Sequence, residues 1–334
     1  MTILVTGGAG FIGSVLVAGL EAARAPKVAV CDWTTDPMTG EKKGRNIAKR
    51  GNIASVVPPE RLDDFLDRDR RNIEAIFHMG AISSTTVTDE GLLERVNVEL
   101  PLRLWRFAAE RGIPLIYASS AATYGGGEAG FDDEFTGHAM QRLKPLNAYG
   151  RSKHRFDLEV LKMVHAGEKA PPIWAGLKFF NVYGPNEYHK GGQKSVVAAL
   201  CQQARATGRA KLFRSHNPDY ADGGQLRDFV WVGDCADAMV WLWREGRQSG
   251  LFNIGTGKAR SFLDLARATF AAMSREPTID FVDTPASIRE CYQYFTEART
   301  ERLRAAGYAR PFTSLEDGVG RYVRDFLETG DLYW

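Results

Sequence analysis

The chain has 334 residues, with 43 Lys or Arg against 41 Asp or Glu and a formal net charge of +2. That balance gives no support for a basic nucleic-acid-binding surface, and a 44% hydrophobic fraction with 25% charged residues argues against a disordered chain. No apolar run approaches the roughly 20 residues needed to span a bilayer.

In chain order, the first apolar run, Ile3 to Thr6, meets glycines at once. It leaves no basic leader or separate apolar segment for export, so a cytoplasmic enzyme is expected. Further strands are predicted at Lys27 to Asp32, Glu74 to His78, Pro114 to Ser119 and Ile173 to Phe180. Between them, Ile12, Val15, Leu16 and Leu20, and then Leu100, Leu104, Phe107 and Ala108, recur at helical spacing. A helix is predicted from near Tyr149 to about His165. This alternation predicts an α/β fold, a doubly wound parallel sheet of the Rossmann type. Beyond Asn181 the pattern breaks into long loops, Asn181 to Lys194 and Ser215 to Leu226, of the kind that carry function. Cys31, Cys201, Cys235 and Cys291 are scattered without metal-ligand spacing, so buried free thiols and no metal site are expected.

Gly7-Gly8-Ala9-Gly10-Phe11-Ile12-Gly13 lies between the first strand and the first helix. Such glycines permit a tight turn, close backbone approach to a pyrophosphate and close helix packing, with the helix N-terminus attracting the anion. Asp32, ending the second strand, would accept from a ribose 2′-OH and repel a 2′-phosphate, while Lys42, Lys43 and Arg45 just beyond it could neutralise that phosphate. On these residues alone NADP and NAD both remain open.

Ser119-Ser120-Ala121-Ala122-Thr123-Tyr124-Gly125 ends the fourth candidate strand, and Tyr149-Gly150-Arg151-Ser152-Lys153 opens the next long helix. Residues four apart share a helical face, so Lys153 lies beside Tyr149, and an ammonium there is expected to lower the phenol pKa toward neutrality. Ser120, at the carboxyl edge of the sheet, is placed to hydrogen-bond a reacting oxygen.

These features together resemble the extended short-chain dehydrogenase/reductase family over essentially the whole chain. His78-Met79-Gly80-Ala81 is similar to that family's cofactor-lining loop, and Asn97 to its structural Asn. The strings Tyr117 to Gly126, Phe180 to Pro185 with His189-Lys190-Gly191, Gly80 to Thr86 and Arg304 to Tyr308 narrow the resemblance to members that invert C6 of an ADP-heptose. The resemblance implies a tightly held NADP (NAD possible), with hydride removed to give a transient 6-ketone and returned to its other face. It further implies interconversion of ADP-D-glycero- and ADP-L-glycero-D-manno-heptose for the lipopolysaccharide inner core, in a homo-oligomer, a pentamer in the family, with no membrane or nucleic-acid partner.

By the same resemblance, Ser120, Tyr149 and Lys153 match the catalytic set and Lys190 a second acid/base. Cofactor contacts fall at Gly7, Gly10, Phe11, Ile12, Gly13, Asp32, Trp33, Lys42, Lys43, Met79, Gly80, Ala81, Ser83, Asn97, Tyr149, Lys153 and Val182. Substrate contacts fall at Ser120, Asn181, Lys190, Phe213, Arg227 and Tyr292. An NADP-binding domain of about residues 1–180 and 227–258 is expected beside a smaller α+β substrate-binding domain of about 181–226 and 259–334. Trp33, Gly192 and Ala199 depart from the pattern, standing where Asn, Ser and His are usual. Read from the residues alone, Lys190 is better taken as a surface lysine or a phosphate clamp, and Arg227 almost as readily as an ion-pair partner of Asp228 or Asp234. Competing functions are a UDP-hexose 4-epimerase, a 4,6-dehydratase, which the Ala121-Ala122-Thr123 stretch disfavours for want of an Asp-Glu pair, and a non-catalytic NADP sensor.

Overall fold

A computed structural model describes residues 1–36, 40, 42–289 and 292–334. Its strands are β1 (Thr2–Thr6), β2 (Lys27–Cys31), β3 (Ile53–Val57), β4 (Ile73–His78), β5 (Leu115–Ser120), β6 (Trp174–Phe179) and β7 (Asn181–Tyr183). The remainder are β8 (Ala210–Phe213), β9 (Leu226–Arg227), β10 (Phe229–Trp231), β11 (Gly250–Ile254), β12 (Arg260–Ser261) and β13 (Ile279–Val282). Seven of them form one parallel sheet in the order β11-β6-β5-β4-β1-β2-β3. That is the doubly wound arrangement, with the strand order reversing between β1 and β4.

Because helices cover both faces, the central strands are buried on both sides and read as continuous apolar runs rather than alternations. Ile3, Leu4 and Val5 show this, as do Val28, Ala29 and Val30. One core face gathers Ile3, Val5, Val28 and Phe77 under the Phe11–Ala22 and Val232–Arg244 helices. The other gathers Leu4, Ala29, Ile76 and Tyr117 under the Leu100–Arg111 and Ala148–His165 helices.

A separate cluster unites Val197, Leu200, Leu212, Phe229, Phe270, Val319 and Tyr322, which belong to the elements after β7. Leu303 and Tyr308, within the segment expected to belong to the smaller domain, pack instead into the core of the large sheet.

The helix expected near Tyr149 runs from Ala148 to His165, capped by the Asn147 side chain, which accepts from Gly150 N. β3 and β11 were not among the expected strands. β3 is a short edge strand, alternating half-buried and exposed before its last residue, and its pairing with β2 supplies what its pattern lacks. The expected long loop from Asn181 begins instead as β7, paired in parallel with β10. Cys31, Cys201 and Cys235 are buried free thiols, while Cys291 lies outside the described residues. No helix among the described residues is long and apolar enough to cross a membrane.

Candidate active site

The glycine turn joins β1 to the Phe11–Ala22 helix. Gly7 has φ +66°, and a Cβ there would lie 2.5 Å from Gly80 N; a Cβ on Gly13 would lie 2.2 Å from Gly7 O. Only glycine permits this approach of turn, helix and the loop after β4. The helix starts at Gly10 with no side-chain cap and no acidic residue in its first turn. Its N-terminus is therefore a ready anion site, and the residues present fit a dinucleotide pyrophosphate. Met79 N donates to Thr6 O and Gly80 N to Thr6 Oγ1, holding the Met79-Gly80-Ala81 loop beside the turn.

Asp32 directly follows β2 beside this turn, accepting from Ala9 N at 3.0 Å and Trp33 N at 2.8 Å. Lys43 Nζ lies 2.7 Å from Asp32 Oδ1, so the lysine expected to meet a 2′-phosphate is paired with the carboxylate expected to repel one. Lys42 is exposed on the same segment. Trp33 donates from its indole to Glu60 and lies under the Lys43 ammonium.

Ser120 terminates β5, and its Oγ accepts from Ala122 N, fixing the tight turn that follows. The Ala148–His165 helix approaches this turn closely, since a Cβ on Gly150 would lie 2.7 Å from Ala122 O. Tyr149 and Lys153 thus reach the carboxyl edge of the sheet on one helical face. Lys153 Nζ donates to Ala118 O at 2.8 Å. Burial lowers its pKa to about 8, with Asp157 opposing.

The lowering expected for Tyr149 is not found: burial raises its pKa, and a hydrogen bond with Ser120 only opposes that. Desolvation of the phenolate dominates and the Asp157 charge adds to it, while the Lys153 ammonium is directed to a carbonyl. Burial thus favours the neutral phenol of Tyr149.

Asn97 is fully buried in a single π-helical turn. Its amide pairs with both backbone groups of Ile82 and donates to Ser152 Oγ, which in turn donates to Tyr149 O. It ties the loop containing Ala81 and Ser83 to the Tyr149 helix.

Lys190 lies half-buried in the loop after β7, its ammonium 5.2 Å from the centroid of the Phe11 ring at the glycine turn. Burial lowers its pKa and Glu187 opposes that. Neighbouring His189 is pushed down to about 4, chiefly by burial and then by Lys43 and Lys190, so it is neutral at pH 7. Val182 is half-buried on β7 and Asn181 exposed beside it. Glu187 holds this loop by accepting from Ser195 N, Ser195 Oγ and Tyr322 OH. Asn46 donates to both Ala9 O and Asn186 O, joining the basic segment to the glycine turn and the Lys190 loop. Neither Asn46 nor Glu187 was expected from sequence, where a lone polar residue in a loop carries no periodic signal.

Arg227, on β9, is 7% exposed. It donates to Leu226 O and Gln293 O, and its guanidinium lies between the Phe262 and Tyr292 rings, 5.6 and 5.4 Å from their centroids. Neither suggested acidic partner is used. Asp228 accepts from Thr256, Gly257 and Ala298, and Asp234 from Thr313. Among the described residues Arg227 has no carboxylate partner, an arrangement that suits an anionic ligand. Of the two expected aromatics, Tyr292 flanks this cation, and Phe213 meets Tyr292 edge to face at 6.4 Å.

A glycine-cradled anion site beside a Ser-Tyr-Lys set on a seven-stranded parallel sheet defines a nicotinamide-dependent enzyme of the extended short-chain dehydrogenase/reductase type. The chain belongs to the NAD dependent epimerase/dehydratase family, whose model matches residues 3–255. Among curated proteins it is 45% identical over 329 residues to an ADP-L-glycero-D-manno-heptose-6-epimerase of Nitratidesulfovibrio vulgaris, covering 98% of each chain. It is 43% identical over 339 residues to one of Fusobacterium nucleatum, covering 99% of each. Among solved structures it resembles the Helicobacter pylori ADP-L-glycero-D-manno-heptose-6-epimerase with TM-score 0.79 and 29% identity, over 97% of this chain and 95% of that one. It also resembles the Thermus thermophilus UDP-glucose 4-epimerase in complex with NAD, with TM-score 0.73 and 26% identity, over 98% and 100%.

Proposed function

We propose that this protein interconverts ADP-D-glycero- and ADP-L-glycero-D-manno-heptose by inverting C6, using a bound NADP. C6 is a secondary alcohol whose hydrogen is not acidic, so inversion by proton abstraction is closed to it. A bound nicotinamide supplies the missing chemistry by accepting the C6 hydride and returning it to the other face of the resulting ketone. Ser120 and Tyr149 hold the oxygen in one pose, with Tyr149 exchanging its proton. Lys190 serves the oxygen in the pose reached after the ketone turns over. Arg227 clamps the diphosphate in both.

The observation that carries this reading is the second lysine: the loop after β7 delivers Lys190, its pKa lowered by burial, to the Phe11 ring at the glycine turn. The names of the relatives support the heptose as substrate. NADP is favoured because the Asp32 charge is already compensated by Lys43. The same location also suits Lys190 as a pyrophosphate clamp, a second reading that its substitution distinguishes. The deciding experiment offers each purified heptose epimer to the protein and follows its conversion by NMR; conversion of UDP-glucose instead would transfer the reading to C4.

A further inference from the structure

Lys178 on β6 and Asp157 on the Ala148–His165 helix form an ion pair at 2.9 Å with side-chain exposures of 1% and 0%. Burying two charges is costly unless their remaining hydrogen-bonding capacity is met, and replacement by apolar residues is often as stable. Here the capacity is met by residues around Ser120. Asp157 accepts from Ser119 Oγ at 2.7 Å and from Tyr117 OH at 3.1 Å. Lys178 also donates to Thr123 Oγ1 at 2.7 Å, and that hydroxyl donates to Ser120 O at 2.8 Å. The ammonium lies 5.0 Å from the Tyr124 ring centroid. Asp157 is one helical turn beyond Lys153 and two beyond Tyr149. One ion pair therefore joins β5, the turn after it, β6 and the catalytic helix.

We propose that Lys178 and Asp157 are positioning residues for the acid/base step, fixing Ser120 against Tyr149 and cancelling each other's field there. The proposal rests on Tyr149 being the acid/base. A lone buried carboxylate would disfavour the Tyr149 phenolate, and a lone ammonium would favour it. Asp157 acts in the first sense on Tyr149 and supports the charge of Lys153. Other groups facing the pair are His154 on its helix, Tyr117 on β5, Tyr124 in the turn and Asp133 near β11. Burial keeps His154 and both tyrosines neutral at pH 7. Asp133, pushed up to about 6, is lowered in part by Lys178, and Lys153, at about 8, is raised in part by Asp157, so both also move in the variants; the Tyr149 limb is therefore assigned by tyrosinate absorbance against the same variant carrying Tyr149→Phe.

The test is the pH dependence of single-turnover nicotinamide reduction by ADP-heptose in the cofactor-loaded protein. Lys178→Met should move the Tyr149-governed limb to higher pH and Asp157→Asn to lower pH, each by about half a unit or more. Lys178→Arg should leave it in place. Loss of rate without movement of the limb, or movement in the same direction in both, overturns the proposal. If either single variant fails to fold, Lys178→Met with Asp157→Leu, which removes both charges, should keep the limb while slowing turnover by roughly 10²-fold. An undiminished rate or a displaced limb in that double variant equally overturns it. Tyr149→Phe at full rate would instead remove the underlying reading of Tyr149.

Discussion

Asp32 and Lys43 are 2.7 Å apart, and that contact changes what each contributes to dinucleotide choice. Read separately, the carboxylate argues for NAD and the lysine for NADP. Joined, they form a nearly neutral, largely buried pair whose carboxylate also holds Ala9 N of the glycine turn.

Lys43→Ala should uncover the Asp32 charge and weaken NADP binding about tenfold more than NAD binding, the effect of roughly 1.4 kcal/mol. Titrating nucleotide-stripped protein with each dinucleotide measures the ratio. Adding Asp32→Asn should restore NADP binding; an unchanged ratio in Lys43→Ala would show that the pair does not govern selection.

For the two proton-handling groups, Tyr149→Phe and Lys190→Met should each abolish full epimerisation while leaving one epimer able to reduce the bound nicotinamide. Loss of a positioned acid or base costs about 10² to 10⁴-fold. Absorbance of reduced nicotinamide in a single turnover, with each epimer in each variant, should show opposite preferences. If Lys190→Met oxidises both epimers at the parental rate and merely binds cofactor more weakly, Lys190 is the clamp.

Arg227 has no carboxylate partner to strand among the described residues, so Arg227→Ala should act mainly on binding. Contact with a diphosphate in ground and transition states alike gives a raised KM with kcat little changed. Steady-state kinetics separate the outcomes: a collapsed kcat at constant KM would assign the guanidinium to the chemistry.

Acid should destabilise the fold through His78. Its Nδ1 pairs with Thr6 Oγ1, its Nε2 has no partner among the described residues, and burial lowers its pKa to about 3. With an unfolded value near 6.5, the unfolded chain binds the extra proton between about pH 3 and 6.5. Stability is therefore complete above pH 6.5 and falls as the pH drops through that window. His78→Phe should flatten the decline in urea midpoint between pH 7.5 and 5, leaving the part due to His189, whose value is lowered to about 4, and to His154, lowered by burial. An unaltered decline would remove His78 as its source.

The strands and helices that could be read in the sequence were those whose burial leaves a local signature. Ile3 to Val5 and Val28 to Val30 are continuous apolar runs because both sheet faces are covered, and the Tyr149 helix has both its period and its cap in local residues. β3 escaped because an edge strand of five residues draws its definition from the partner to which it bonds.

The sequence by itself determined the sheet type, the glycine turn and the alignment of Tyr149 with Lys153. Each depends on residues a few positions apart, where backbone geometry alone sets the distance. Only the tertiary structure decided that Lys43 answers Asp32, that Arg227 has no described carboxylate partner, and that Lys178 meets Asp157 beneath Ser120. It also reversed the expected pKa shift of Tyr149. Desolvation and charge pairing depend on which side chains the fold brings together and how much water it excludes, and neither quantity is written in the spacing of residues along one chain.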